Sequence, residues 1–237
     1  MSHNQPSSIK YMLTNRFDYT PISRESVNGK RMYTLPDGRH APSVTTILDR
    51  TKAIESVTAL KNWRARVGNA KATEITTEAA SVGTVMHKLL ENYCIGEIKP
   101  KGTNLVQKIA HPMAEQIILN GLVHMSEIWG VEIGLYYPGL YAGTADGAGI
   151  WKGKEAIFDF KQTNKPKKEE YIQDYYCQLA AYATSHNLLH GTNIQTGVVM
   201  MCSRDKQYQE FVLTGDRFAE YTNKWWDRVR RFYEFDL

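Results

Sequence analysis

At Gly121 the hydrophobic period of this chain changes from helical to alternating, and that switch limits the folds open to it. Before it, "VTALKNWRARVGNA", "TTEAASVGTVMHKLLENY" and "NLVQKIAHPMAEQIILNGL" space their apolar residues as helices with one buried face do. After it, "EIWGVEIGLYY", "LYAGTADGAGIW" and "EAIFDFKQT" alternate as strands do, and "KGK" supplies a tight turn between the last two. A further helix ("KKEEYIQDYYCQLAAYATSHNLL"), a strand pair ("QTGVVMMCSR" and "QYQEFVLTG") and a closing helix ("DRFAEYTNKWWDRVRRFYEF") follow. The order helices, three strands, helix, two strands, helix predicts an α/β fold with helices flanking a mixed central sheet.

The start of the chain reads differently. The stretch to about Asn28 is polar and is expected to be loosely ordered, and "GKRMYTLPDGRHAPSV" reads as a short hairpin turned by "PDG". Ser43 suits a helix N-cap. The expected division is a polar N-terminal segment with hairpin over residues 1–40 and a single domain over 41–237, helical over 41–121 and α/β over 122–237.

At 237 residues, 42% of them hydrophobic, the chain can bury a substantial core. Its formal charge of +4 suits a polyanionic partner without requiring one. Cys94, Cys177 and Cys202 show no Cys-x-x-Cys spacing, which argues against a disulfide framework, a zinc finger or a four-cysteine cluster and for a reducing compartment. No apolar run approaches the roughly 20 residues of a membrane span. The opening "MSHNQPSSIK" has neither a signal-peptide apolar region nor an Arg-rich transit pattern. The expectation is a cytoplasmic protein with no membrane partner.

The residues that carry chemistry lie on the second and third strands. Asp146 stands among small residues, Gly143, Ala145, Gly147, Ala148 and Gly149, which permit close approach by another group. Asp159 and Lys161 are two apart and so share one strand face, while Ala156, Phe158 and Phe160 share the other. If the strands pair, the two carboxylates meet. At about 4 Å they repel by about 4 kcal/mol at an effective dielectric near 20. A divalent cation converts that repulsion into ligation, and an oxygen-rich site suits Mg2+ or Mn2+. A surface salt-bridge cluster would account for the same spacing equally well.

Asp, twelve residues, then Asp-Phe-Lys resembles the signature of the PD-(D/E)XK nuclease superfamily, with Asp rather than the commoner Glu at the third acidic position. Three further pieces are similar to the RecB-like exonuclease branch: "GTVMH" (Gly83 to His87), "GTAD" (Gly143 to Asp146) and "QLAAY" (Gln178 to Tyr182). With "PSVTTIL", "KNWRARV" and "NKWWDRVRRF" in the same order, the chain most resembles the mitochondrial genome maintenance exonuclease group and its phage-encoded relatives, over roughly residues 40 to 233.

The resemblance implies a restriction-endonuclease-like core and metal-dependent hydrolysis of DNA phosphodiesters, as an exonuclease preferring linear single strands with free ends. It implies that His87, Asp146 and Asp159, with the backbone carbonyl of Phe160, bind the metal. Lys161 would orient water and stabilise the phosphate. Host and compartment would be a bacterial or phage-infected cytoplasm, and the process DNA repair or recombination. Relatives often carry a hydroxyl residue directly after the motif lysine, whereas here Gln162 precedes Thr163. Two rival functions stand beside this one: a structure-specific or restriction-like endonuclease of the same superfamily, and a non-catalytic DNA-end binding or recombination module.

Several other residues carry two readings each. Glu91, four after His87, is a partner of the histidine or an ordinary helix charge. Glu132 is a candidate for a second metal site. Gln178 and Tyr182 share a helix face and either position the ligands or the DNA backbone, or are ordinary core and surface residues. Lys165, with Lys167 and Lys168, holds phosphates or forms a solvated loop. Trp63, Tyr171, Tyr175 and Tyr176 stack on bases or fill the core.

Overall fold

In a computed structural model of the chain, residues 13–27, 30–97 and 102–235 are described. Three short strands, β1 (Ser23–Val27), β2 (Lys30–Thr34) and β3 (His40–Pro42), form an antiparallel sheet. Four helices follow: α1 (Val44–Arg50), α2 (Ile54–Val67), α3 (Asn69–Cys94) and α4 (Leu105–Asn120). The main sheet is then laid down as β4 (Met125–Tyr137), β5 (Tyr141–Trp151) and β6 (Lys154–Thr163). α5 (Gln173–His190) crosses to β7 (Thr196–Ser203), β8 (Tyr208–Thr214) pairs back, and α6 (Asp216–Phe235) closes the chain. The five strands lie in sequence order, antiparallel except for the parallel pair β6–β7 that the α5 crossover requires. This is the mixed α/β architecture expected, and it fits a PD-(D/E)XK-like core.

Local signals set most boundaries. Ser43 caps α1, its Oγ accepting from Thr46 N at 2.9 Å. β5 and β6 are joined by Lys152 and Gly153, both at positive φ (45° and 78°), as a two-residue hairpin turn demands. β6 is buried on both faces because helices cover both. Ala156, Phe158 and Phe160 pack with Val82, Met86 and Leu90 of α3 and with α4. Ile157, one residue out of phase, packs instead with α5 and the Trp225 side of α6.

The N-terminal stretch departs from expectation. β1 lies within the part expected to be loosely ordered, and Leu13 forms a parallel bridge to Ile128 while Thr14 N donates to Ile128 O at 2.8 Å. The average polarity hides Phe17, whose ring stands edge-on to the buried Trp129 at 5.3 Å and anchors the segment to β4. Residues 1–12, 28 and 29 lie outside the described residues. The expected boundary after residue 40 falls inside β3, and the one after 121 falls just beyond α4.

α2 differs from its neighbours: none of its residues is fully buried, and Ile54, Val57 and Leu60 are exposed along one side. No helix among the described residues is long and apolar enough to cross a membrane.

Candidate active site

The site forms where β5 and β6 part. Their ladder runs from Trp151↔Lys154 to Gly147↔Phe158 and stops, and from Asp159 onward β6 continues paired only with β7. The next position of that ladder would have placed Asp146 opposite Asp159. Instead, the Asp146 side chain turns into the gap, and its Oδ2 accepts from Phe160 N at 2.6 Å. A carboxylate thus takes the place of a lost sheet acceptor, which a buried N–H needs.

α3 lays His87 against the same carboxylate. His87 Nε2 is 3.2 Å from Asp146 Oδ2, and Nδ1 is 2.8 Å from Gly83 O, one turn earlier on the helix. A carbonyl can only accept, so Nδ1 carries a proton, and Nε2, protonated as well in the charged form, is the atom aimed at the site. On the other strand Lys161 Nζ forms an ion pair with Asp159 Oδ2. Asp159 is 3% exposed, and Lys161 is the partner of its Oδ2.

Burial and pairing pull against each other throughout this cluster. Burial would lower the basicity of His87, but the Asp146 carboxylate outweighs it and raises the imidazole pKa to about 9. Asp146 itself is raised by burial, yet His87, Lys161 and the Phe160 N–H together hold it below the usual carboxylate range. Asp159 goes the other way: burial dominates the Lys161 attraction, the neighbouring Asp146 adds repulsion, and its pKa rises to about 6. Lys161 loses basicity to burial but regains more from Asp159 and Asp146, so it stays charged.

Among the described residues no three His, Cys, Asp or Glu side chains converge closely enough to hold a metal ion as they stand. The side chains are paired with one another instead, His87 with Asp146 and Lys161 with Asp159. The donor set nevertheless has the chemistry of a hard-cation site: the carboxylates of Asp146 and Asp159 and the imidazole nitrogen of His87.

His87, Asp146 and Lys161 open on a cleft of about 720 Å³ whose walls also include Glu91, Glu132 and Gln178, while Asp159 is buried behind the wall. Glu132 faces Asp146 across the β4–β5 register, between the Val131↔Gly147 and Ile133↔Ala145 pairs, with φ at 51°. Burial, then Asp146, raises its carboxyl to about 7. Glu91 lines the cleft too, held by Lys88 at 2.7 Å.

Gln178 and Tyr182 on α5 form the floor. Both are buried, with Gln178 Nε2 donating to Tyr182 Oη at 3.3 Å. The Tyr182 ring is seated directly over Gly143: a Cβ there would stand 2.7 Å from Tyr182 Cε1. The small residue of the "GTAD" stretch therefore serves Tyr182.

Not every expected residue reaches the cleft. Thr163 Oγ1 donates to Lys165 O at 2.9 Å, closing the loop after β6, and Lys165 itself is exposed outside the cleft wall. Of the four aromatic candidates, Tyr175 lines the cleft with Lys161 Nζ 5.1 Å from its ring, whereas Tyr176 is a core residue whose hydroxyl bonds Glu169 at 2.6 Å. Tyr171 and Trp63 lie away from it. Gln162 lines the cleft and ties the strand to α3, its Nε2 donating to Ala79 O at 3.1 Å. Arg24 and Tyr33 of the small sheet also line it and went unnoticed in the sequence. The Tyr33–Thr144 contact, 111 residues apart, helps to bring them there, with the Ser43–Ala142 bridge.

The chain is 26% identical to mitochondrial genome maintenance exonuclease 1 of Xenopus tropicalis, a match covering 90% of this chain and 64% of the relative. The mouse protein of that name is 27% identical over 81% of this chain and 59% of its own, and the human one 25% over 81% and 58%. The chain is similar in sequence to the mitochondrial genome maintenance exonucleases. It spans under two thirds of the length of these relatives. No family model matches the chain. Among solved structures, a protein of Eubacterium rectale superimposes on 66% of this chain and 69% of its own at TM-score 0.45 and 11% identity, too slight a likeness to carry an argument. A match over 81% or more of the chain takes in the stretch that holds His87, Asp146, Asp159 and Lys161.

Proposed function

We propose that this chain is a metal-dependent DNA exonuclease acting on linear single strands. The observation that carries the reading is the meeting of His87, Asp146, Asp159 and Lys161 at the parting of β5 and β6. Clustered carboxylates repel a phosphate backbone unless a cation lies between them, and a cation can also activate the water that attacks a phosphodiester. A bound Mg2+ or Mn2+ would lower the pKa of its water and neutralise charge on the scissile phosphate.

His87 Nε2, Asp146, Asp159 and the Phe160 carbonyl are the groups we assign to hold that cation. A cation there would compete with Lys161 for Asp159 and with the proton for His87 Nε2. Lys161 Nζ, beside Asp159, would hold the attacking water and face the oxygens of the phosphate. Asp146 stays aligned because the Phe160 N–H holds one of its oxygens. Tyr182 and Gln178 keep the floor closed, and Tyr175 offers an aromatic face next to Lys161 for a base.

The preference for free ends rests on the helical region. α3 forms one cleft wall from Ala79 to Glu91, and α2, joined to it at Gly68, leaves Ile54, Val57 and Leu60 uncovered beside Lys61, Arg64 and Arg66. A strand threaded past such a helix meets both apolar surface for its bases and cations for its phosphates. The three cysteines are free and buried, in keeping with a reducing compartment such as the cytoplasm.

End-labelled oligonucleotides, single and double stranded, linear and circular, digested with Mg2+, Mn2+ or EDTA, test the reading. Linear single strands should be degraded with metal and spared in EDTA. Strands blocked at both ends should be protected. Cleavage of circles as fast as of linear strands would favour an endonuclease, and binding without turnover in any metal would favour a DNA-end binding module.

A further inference from the structure

Arg24 stands at the one place where the small N-terminal sheet looks into the cleft. In the β1–β2 register Arg24 is opposite Tyr33, so the two side chains share a face, and both line the cleft wall. Glu25 and Thr34, on the opposite face, are engaged elsewhere, Glu25 with Thr34 Oγ1 and with His40 Nδ1 at 2.9 Å. The face is held in place rather than floating: Tyr33 is 5% exposed, and its hydroxyl meets Thr144 Oγ1 at 3.2 Å, two residues from Asp146. Ser43, just after β3, bridges to Ala142 and fixes the other end of the sheet against β5.

The cleft wall has three Lys or Arg residues, Arg24, Lys88 and Lys161, besides His87, which is paired with Asp146. Lys88 is paired with Glu91 and Lys161 with Asp159. Arg24 is exposed and has no ion-pair partner among the described residues. A guanidinium supplies several planar donors suited to phosphate oxygens and is always charged. An exposed, unpaired one in the wall of the cleft is free to take up an anion that is not part of this chain.

We propose that Arg24 holds a backbone phosphate of the nucleic-acid strand lying in the cleft. The inference rests on the nuclease reading above and adds to it a strand-binding role for the N-terminal sheet. Arg24 then acts in binding and not in the chemical step.

The test is fluorescence anisotropy of a labelled single-stranded oligothymidylate in EDTA across a salt series, with Arg24→Gln, Arg24→Lys and, as an equal loss of charge on α6, Lys224→Gln. Arg24→Gln should weaken binding several-fold and reduce the slope of log affinity against log salt by about 0.7, the share of one phosphate on a single strand. Arg24→Lys should keep the slope, and Lys224→Gln should match wild type. In cleavage assays Arg24→Gln should raise KM and leave kcat close to wild type. Wild-type affinity and slope in Arg24→Gln, while the wild-type protein binds and cleaves DNA, would overturn this inference alone. An equal loss in Lys224→Gln would overturn it as well, by showing a bulk-charge effect. A wild-type protein that neither binds nor cleaves DNA would overturn it together with the nuclease reading.

Discussion

The backbone N–H of Phe160 donates to Asp146 Oδ2 at 2.6 Å, and that bond joins the two acidic strands at the point where their ladder has ended. It holds one carboxylate oxygen in a fixed position between His87 on α3 and the Asp159–Lys161 pair on β6. The chemistry proposed for the cleft depends on this placement, because on the β6 side the ladder has ended and this bond is what ties Asp146 to that strand.

Lys161 and Asp159 share a strand face but should separate in experiment. Lys161→Ala removes a cation that competes for Asp159, so metal affinity should hold or rise. Turnover should fall by a factor on the order of 10² to 10³, the scale for losing one electrostatic stabiliser. Asp159→Ala should lose both. Calorimetric metal titration beside single-turnover cleavage measures the two quantities, and an active Lys161→Ala protein would remove the role given to that lysine.

His87 makes metal-free stability pH-dependent. Its folded pKa, about 9, lies above the ordinary value of 6.5, so the pairing with Asp146 stabilises fully below about pH 6.5 and is lost as pH rises through about 9. Melting temperatures in EDTA should show wild type losing its advantage over His87→Ala across that range. The same proton competes with a cation for Nε2, so Mn2+ affinity should climb over the same interval.

Glu132 should behave in the opposite sense. Its folded pKa of about 7 exceeds the ordinary 4.5, so ionised Glu132 costs stability, an effect that grows between those values and is complete above pH 7. Glu132→Gln should raise the metal-free melting temperature by a few degrees at pH 8, and by less at pH 5. If Glu132 also holds a second cation, the variant should bind one Mn2+ fewer per chain.

Gly143→Ala tests the floor of the cleft. The new methyl would sit 2.7 Å from Tyr182 Cε1 and 2.9 Å from its hydroxyl, and the ring is buried with nowhere to go. A loss of roughly 1–3 kcal/mol is the usual cost of such overpacking. Denaturant unfolding should show it, and in a Tyr182→Ala background the same substitution should cost much less, since the two changes share one contact.

What the sequence by itself determined were the properties with short periods. The alternation of "EAIFDFKQT" placed Asp159 and Lys161 opposite Phe158 and Phe160, because side-chain direction along a strand depends only on the residue count. The cap at Ser43, the turn at Lys152 and Gly153, and the helical spacing of Gln178 and Tyr182 are local in the same way. What only the tertiary structure decided were the pairings across distant parts of the chain. Whether Asp146 would meet Asp159 across a ladder or turn to the Phe160 N–H depended on where β5 and β6 part, and that is set by β6 continuing with β7 instead. Tyr33 and Arg24 entered the cleft through a contact spanning 111 residues. No window of sequence contains such a contact, since its free energy comes from packing two surfaces that exist only once the sheet has formed.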